Sequence, residues 1–408
     1  MDTKKICVVG GGAAGMMAAG TATLYGADVT IFENTDRLGK KLAITGKGRC
    51  NVTNNCSTVE FLENVTKNPR FLYAALNAFD TESTINFFEN LGVRLKTERA
   101  KRVFPASDLA KDIVDAMRKY ASGATVIYNK VTRIRYVDNT FTVTAANKDY
   151  DFDAVIMATG GKSYPLTGSD GSGYRLAGKL GHRVTELVPS LIPIESTSVY
   201  CPRMQGLSLK NVAIAAKDDG GKTVYSDFGE MMFTHFGVTG PMILSASAHL
   251  RGYDIKKLTL SIDLKPALDE KALDKRLLSD FGERSNKDLI NSLGALLPSK
   301  MIEPFVSYLG LDPRQKVNSI TKEQRRKILV GLKDFKIPLS GFRPIEEAII
   351  TSGGIDVKDI SPKDMQSKII PGLYFAGEMI DVDAYTGGFN LQIAFSTGYL
   401  AGKSAAEY

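Results

Sequence analysis

Tryptophan is absent from the 408 residues, and histidine occurs only three times beside four scattered cysteines (Cys7, Cys50, Cys56, Cys201). So few imidazoles and thiols exclude a disulfide framework and argue against an all-protein zinc site, so no metal is expected. No apolar run is long enough to span a bilayer, and the short one after Lys4 and Lys5 breaks at glycines. A cytoplasmic protein with neither membrane segment nor export signal is therefore expected. The formal charge of +7 is moderate. Without tryptophan or aromatics interleaved among basic residues, it points to anionic cofactors or small-molecule substrates rather than to nucleic acid. Composition carries no mark of oligomeric state, but 408 residues exceed one ordinary core, so two or three domains are expected.

What is present is glycine in informative places. The stretch "KKICVVGGGAAGMMAAGTATLYGADVTIFEN" reads as a strand (Ile6 to Val9), Gly10-x-Gly12-x-x-Gly15, a helix of small residues starting around Ala13 and Ala14, and a second strand (Asp28 to Phe32) ending in Glu33 and Asn34. Gly10 permits a tight turn, Gly12 lets backbone approach a pyrophosphate, and Gly15 allows close helix-to-strand packing while the helix N-terminus faces the anion. Glu33 is placed to accept hydrogen bonds from adenosine ribose hydroxyls and would repel a 2′-phosphate. NAD and FAD both fit that fingerprint. The next segment, "DRLGKKLAITGKGRCNVTN", sets Arg37, Lys41, Thr45, Gly46, Arg49, Cys50 and Asn51 together. Cations and hydrogen-bonding groups among glycines suit the phosphates and ring carbonyls of a long, flat cofactor, which favours FAD over a solvated basic loop.

Two further turns complete the nucleotide site. "DFDAVIMATGGKSYPLTGSDGSGY" runs a strand into Ala158-Thr159-Gly160, after a small β-meander expected over Thr125 to Thr144 in which Val131 offers backbone bonds to adenine. "GLYFAGEMIDVDAYTGGFNLQI" ends a strand at Gly377-Glu378, turns at Gly387-Gly388 and starts a helix near Asn390, Leu391 and Gln392. There Glu378 would accept a ribityl hydroxyl and the helix N-terminus would face flavin N1 and O2, where reduced flavin is negative. The two ends of the chain thus hold opposite ends of one non-covalent FAD. Between them, residues 186–264 alternate as short strands of a small barrel or sandwich. Residues 265–336 read as helices, with 15 Lys+Arg against 10 Asp+Glu, a solvated face or a docking site for an anionic partner. No second Gly-x-Gly-x-x-Gly occurs, so a NAD(P)H donor would bind transiently at the flavin. The expected division is 1–185, the first part of an FAD domain; 186–264, a β-rich substrate domain; 265–336, a helical subdomain; and 337–408, the return that completes the FAD domain.

"VVGGGAAG", "KLAITGKGRCNVTN", "ATGGKSYPLTGSDGSGY", "MMFTHFGVTGPMIL", "ITSGGI" and "GLYFAGEMIDVDAYTGGFNLQIAFSTGYLAG" resemble, in order and spacing, the bacterial NAD(P)/FAD-dependent oxidoreductase family that includes aminoacetone oxidase-like and bile-acid 3-oxo-steroid reductase-like flavoproteins. The resemblance covers essentially the whole chain. It implies an α/β fold: a two-dinucleotide-binding, glutathione-reductase-type FAD Rossmann domain with an inserted β-barrel-like domain and a small helical subdomain. The expected reaction is reduction of an activated C=C bond, as in a conjugated oxo-steroid, with NAD(P)H as donor. Oxidation of a small amine by oxygen and a flavin role in RNA modification are the alternatives. His235, Tyr164 and Tyr385 are the candidate proton-transfer residues, each balanced against a plain packing role. Cys50 and Cys56 are separated by five residues, rather than the four used by disulfide reductases, which argues against a dithiol relay.

Overall fold

The protein is described by a computed structural model covering residues 3–408. Two compact units divide it: the residues up to Ser190 together with Ile345–Tyr408, and the continuous stretch Leu191–Pro344.

The first unit is built on a five-stranded parallel sheet. β1 (Lys5–Val9) lies at its centre, and Ile6, Cys7 and Val8 are completely buried. An uninterrupted apolar run of this kind is what a strand covered on both faces requires. β2 (Asp28–Phe32) flanks β1 on one side, followed by β3 (Thr125–Ile127); β7 (Ala154–Met157) and then β14 (Leu373–Phe375) lie on the other. The three-stranded antiparallel meander is β4 (Val131–Val137), β5 (Thr140–Ala145) and β6 (Lys148–Phe152). This corrects the meander expected over Thr125 to Thr144. Thr125–Ile127 pairs in parallel with Thr30–Phe32 instead, extending the main sheet, and the meander begins at Val131.

α1 (Ala13–Leu24) and α5 (Phe389–Glu407) pack against each other through small residues spaced four apart. A methyl group added at Gly398 would lie 2.5 Å from the Ala14 carbonyl oxygen, and one at Gly402 would lie 2.3 Å from that of Ala18. The backbones can touch only because those side chains are missing. Elements 365 residues apart thereby come side by side, each with its N-terminus at one cleft.

The second unit is a closed, antiparallel six-stranded barrel, which settles the barrel-or-sandwich alternative. Its circuit runs β8 (Ile194–Ser196), β11 (Gly237–Thr239), β10 (Thr223–Phe233), β9 (Ser208–Lys217), β12 (Thr259–Asp263) and β13 (Phe335–Phe342), closing back onto β8. Closure leaves no sheet edge exposed to another chain. "LVPSLIPIEST", expected wholly within this β-rich region, is divided: Val188–Ser190 pairs with Ile350–Ser352 in the first unit, and only Ile194–Ser196 enters the barrel. Between β12 and β13 lie α2 (Glu270–Glu283), α3 (Ser299–Tyr308) and α4 (Lys322–Lys333), whose Leu273, Leu277, Phe305, Ile328 and Leu332 share a core with the barrel interior. This unit carries 23 Lys+Arg against 17 Asp+Glu, so six of the chain's seven formal positive charges belong to it.

Candidate functional site

The glycine turn does what its spacing demands. Gly10 adopts φ +104, and a Cβ there would meet the Ala158 carbonyl oxygen at 2.6 Å; one at Gly15 would fall 1.8 Å from the Gly10 carbonyl oxygen. Gly12 differs, since an added Cβ would meet nothing within 4 Å. It borders open space at the start of α1, where the first N–H groups have no intrahelical acceptor. No acidic residue occupies that first turn, so no carboxylate of the helix itself competes for its positive end. Glu33 ends β2 and is 6% exposed. Its two carboxylate oxygens accept from the backbone N–H groups of Gly11 and Thr35, both at 2.8 Å, which fixes the group while leaving lone pairs for a ligand hydroxyl.

The other side of the cleft comes from the C-terminal return. The N–H of Gly377 donates to Thr397 Oγ1 at 2.9 Å, tying the end of β14 to α5. Glu378 accepts from Lys41 Nζ (2.7 Å), Ser163 Oγ (3.1 Å) and the Thr351 N–H (2.9 Å), and Lys41 Nζ also donates to Ser163 Oγ at 2.8 Å. Four separate segments therefore fix one cation and one carboxylate at the cleft. The Asn390 side chain folds back on its own turn, accepting from the Ala384 N–H at 3.0 Å and donating to the carbonyls of Ala384 (2.7 Å) and Tyr385 (3.2 Å). The first turn of α5, like that of α1, carries no acid.

These groups line one cleft, whose empty space together with the solvent open to it comes to about 1350 Å³. From the N-terminal part, Gly10, Gly12, Ala13, Ala14, Glu33, Asn34, Lys41 and Thr45 line the cleft; Val131, Ala158, Thr159 and Gly160 follow; Gly377, Glu378, Asn390 and Leu391 close it. Several candidates are not among the lining residues: Gly15, Arg37, Gly46, Cys50, Asn51, Gly387, Gly388, Gln392 and Arg49. Each of four has a visible reason. Gly15 packs beneath the turn. Arg49 is engaged by Glu98 and Asp108, and its guanidinium lies 4.2 Å from the centre of the Phe104 ring. Gln392 is completely buried, accepting from Thr53 Oγ1 at 2.6 Å and donating to the carbonyls of Phe79 (3.1 Å) and Asp80 (3.0 Å). Cys50 is buried, which pushes its thiol up to about 12, and burial raises Cys56 to about 11, so both stay protonated near neutrality and neither is primed as a relay thiolate. Asn51 Oδ1 is buried without a hydrogen-bond partner among the described residues.

Tyr164 sits in a left-handed backbone conformation, φ 52, with its N–H on the Glu346 carbonyl at 3.1 Å, and its side chain is exposed. Tyr385 is half-buried, its N–H bonded to the Asn64 carbonyl at 3.0 Å. Neither lines the cleft. His235 belongs to the second unit, exposed on the turn between β10 and β11, with its ring 5.0 Å from that of Phe236 and edge-on to it. Lining residues that the sequence reading left out include Gly11, Lys130, Gly168, Ser169, Ile349 and Ile350. Lys130, paired with Asp170, adjoins Val131, and Gly168 and Ser169 lie within a stretch already quoted, so adjacency was a usable signal. Ile350 opens the quoted stretch "ITSGGI" and Ile349 adjoins it, so the same signal was there; pairing of Ile350–Ser352 with Val188–Ser190 is what brings them in.

Comparison with known proteins places this geometry. A 3-dehydro-bile acid delta(4,6)-reductase of Clostridium scindens is 28% identical over 99% of this chain and 99% of the relative. A ribosomal RNA dihydrouridine synthase of Escherichia coli is also 28% identical, over 98% of this chain and 97% of its own. Among solved structures, the 3-ketosteroid-delta4-(5alpha)-dehydrogenase of Rhodococcus jostii superposes with a TM-score of 0.53 at 15% identity, covering 100% of this chain and 98% of the other, a likeness of fold. The pattern described as HI0933-like protein Rossmann domain matches residues 4–404. With its glycine turn, acid-ended second strand and C-terminal return all inside that match, the chain belongs to the HI0933-like Rossmann-domain family.

Proposed function

We propose that the protein is an FAD-dependent oxidoreductase that reduces a carbon–carbon double bond conjugated to a carbonyl, taking electrons from NAD(P)H. The observation that carries this reading is the single cleft lined both by Gly10–Ala14 with Glu33 and by Gly377, Glu378, Asn390 and Leu391. Its chemistry fits the group: open space over Gly12, two helix N-termini without acids and one fixed cation together suit a long ligand carrying phosphates. The N–H groups of Ala13 and Ala14 would hold the pyrophosphate and Glu33 the adenosine ribose. Lys41, held by Glu378 and Ser163, would supply positive charge, and the N-terminus of α5 would face the ring system. Bound FAD, once reduced, supplies the hydride for such a bond, and a proton completes the saturated product. Proton delivery is proposed for Tyr164, Tyr385 or His235. Support for the bond type comes from the bile acid reductase relative, whose named reaction is a reduction in a steroid skeleton.

A second reading keeps the chemistry and changes the carrier. The C5=C6 bond of uracil is also conjugated to a carbonyl, and the dihydrouridine synthase relative is named for acting on RNA. The concentration of positive charge in Leu191–Pro344 favours it.

The deciding experiment reduces the FAD-loaded protein anaerobically with NADPH or NADH, then offers a conjugated oxo-steroid, a uridine-containing RNA, an amine or oxygen while flavin absorbance is followed. Selective reoxidation by the steroid supports the first reading and by RNA the second. Fast reoxidation by oxygen alone, with an amine able to reduce the flavin, would replace both with an oxidase, and failure to take up FAD would end all three.

A further inference from the structure

The positive surplus of Leu191–Pro344 is unevenly neutralised. On the helical faces the cations have partners: Arg325 with Asp274 at 2.8 Å, Arg326 with Glu270 at 3.1 Å and Arg276 with Asp280 at 2.7 Å. The pattern changes where residues 284–288 meet residues 312–322. Five cations (Arg284, Lys287, Arg314, Lys316, Lys322) stand there against Asp288 and Asp312, with Glu283 and Glu323 flanking the two segments. Lys316 pairs with Asp288 at 2.8 Å, whereas Lys287, Arg314 and Lys322 are exposed and have no ion-pair partner among the described residues.

These cations sit on one fixed surface rather than on separate loops. The Leu289 N–H donates to the Gln315 carbonyl (2.9 Å), that of Val317 to Lys287 (3.0 Å) and that of Asn318 to Ser285 (3.0 Å). The side-chain amides of Gln315 and Gln324 then exchange two bonds of 3.0 and 2.8 Å, locking the junction to α4. Lys322 is the first residue of α4, where the positive end of the helix disfavours a cation. A residue set against its local preference and left without a partner is what a binding surface looks like.

The chemistry between the cations selects the partner. Asn286, Asn318 and Ser319 are exposed beside them, whereas Val317 is buried and no aromatic residue occurs in either segment. Pro313 is the one exposed apolar residue of the two segments, too little to bury in a protein interface or a lipid surface. Without rings to stack on bases, it fits phosphates and sugars rather than sequence. We propose that this face docks the phosphate backbone of a folded RNA. The proposal rests on the RNA reading given above and locates where that substrate would be gripped.

The test is fluorescence anisotropy with the full, FAD-loaded protein and a fluorescein-labelled RNA hairpin across a salt series. The triple variant Lys287→Glu, Arg314→Glu, Lys322→Glu is compared with Lys148→Glu, Lys179→Glu, Lys363→Glu, which changes net charge equally at exposed lysines of the first unit. The expected result is at least about tenfold weaker binding and a salt slope reduced by about three for the first variant, with the second near wild type. Should the triple variant fail to bind FAD or to melt cooperatively, Arg314→Glu alone is expected to lower the slope by about one. Equal effects of the two variants, or competition by polyglutamate as strong as by unlabelled RNA, would overturn the assignment of the face while leaving RNA as a substrate. A wild-type protein that reduces the oxo-steroid but binds no RNA would overturn both.

Discussion

Replacing Gly12 with Ala separates folding from cofactor binding. A Cβ at Gly12 meets nothing within 4 Å, and the residue sits at φ −78, ψ −166, which alanine adopts without strain. Two small effects then oppose each other in the ligand-free protein. Alanine restricts the unfolded chain, worth about 0.4–1 kcal/mol in favour of the fold, but is a poorer helix N-cap than glycine by a similar amount. The unfolding midpoint of the apoprotein should therefore hardly move. FAD binding should suffer, because the methyl group occupies the space over the N-terminus of α1 through which a pyrophosphate must approach the backbone. Losing one charge-assisted hydrogen bond costs about 1.5–3 kcal/mol, or roughly ten- to more than a hundredfold in affinity. The assay pairs thermal unfolding of the apoprotein by circular dichroism with FAD titration by flavin fluorescence quenching. Wild-type affinity in the variant would refute the placement of the phosphates at this turn, and a markedly lower apoprotein midpoint would refute the claim that the space is open.

Changing Glu33 to Gln leaves one oxygen to serve the Gly11 and Thr35 N–H groups and turns an NH₂ toward the other, so ADP and FAD should both bind about tenfold or more weakly while riboflavin binding is unchanged; a calorimetric titration with the three ligands checks this. Gln392→Ala removes the group that joins Thr53 to the Phe79 and Asp80 carbonyls and leaves buried partners unsatisfied, so urea unfolding should show a loss of roughly 2–4 kcal/mol while the FAD stoichiometry of the folded fraction is retained. His182 supplies a pH dependence: Ser367 Oγ accepts the Ile369 and Ile370 N–H groups, so its proton goes to His182 Nε2 at 2.7 Å, and burial holds this imidazole below its ordinary value of 6.5. Below that value the unfolded chain binds a proton that the folded one refuses, so stability is complete above it and declines as the pH falls. The urea midpoint should drop on acidification from about pH 6.5 in the wild type and drop less in His182→Asn, after allowance for the carboxylates common to both.

The parts of the site legible in the sequence were those where contact distance dictates residue type. A Cβ at Gly15 would come 1.8 Å from a carbonyl oxygen, so the glycine spacing reports geometry directly, and the run Ile6 to Val9 could be nothing but a covered strand. The family resemblance held for the same reason, since its motifs are the stretches in which backbone meets backbone or ligand. What escaped was decided by partners far along the chain. Arg49 looked like a cofactor cation until Glu98 and Asp108 claimed it. Thr125–Ile127 is three residues long and carries no periodicity of its own, so only its pairing with β2 assigns it to the main sheet. Barrel closure depends on β8 meeting β13, whose sequences are separated by about 140 residues and show alternation but not mutual register.

The division of the chain also sets an order of assembly. Leu191–Pro344 is continuous and carries its own barrel closure and core, whereas the parallel sheet needs Leu373–Phe375, which leave the ribosome after the whole insert. During synthesis the inner unit can become native while the outer one still waits for an edge strand, with β7 exposed on the side that β14 will cover. The interrupted unit is thus the late and vulnerable one, and the nucleotide that bridges its early and late segments would act on the nascent protein as a clasp, rewarding completion at the moment α5 reaches α1.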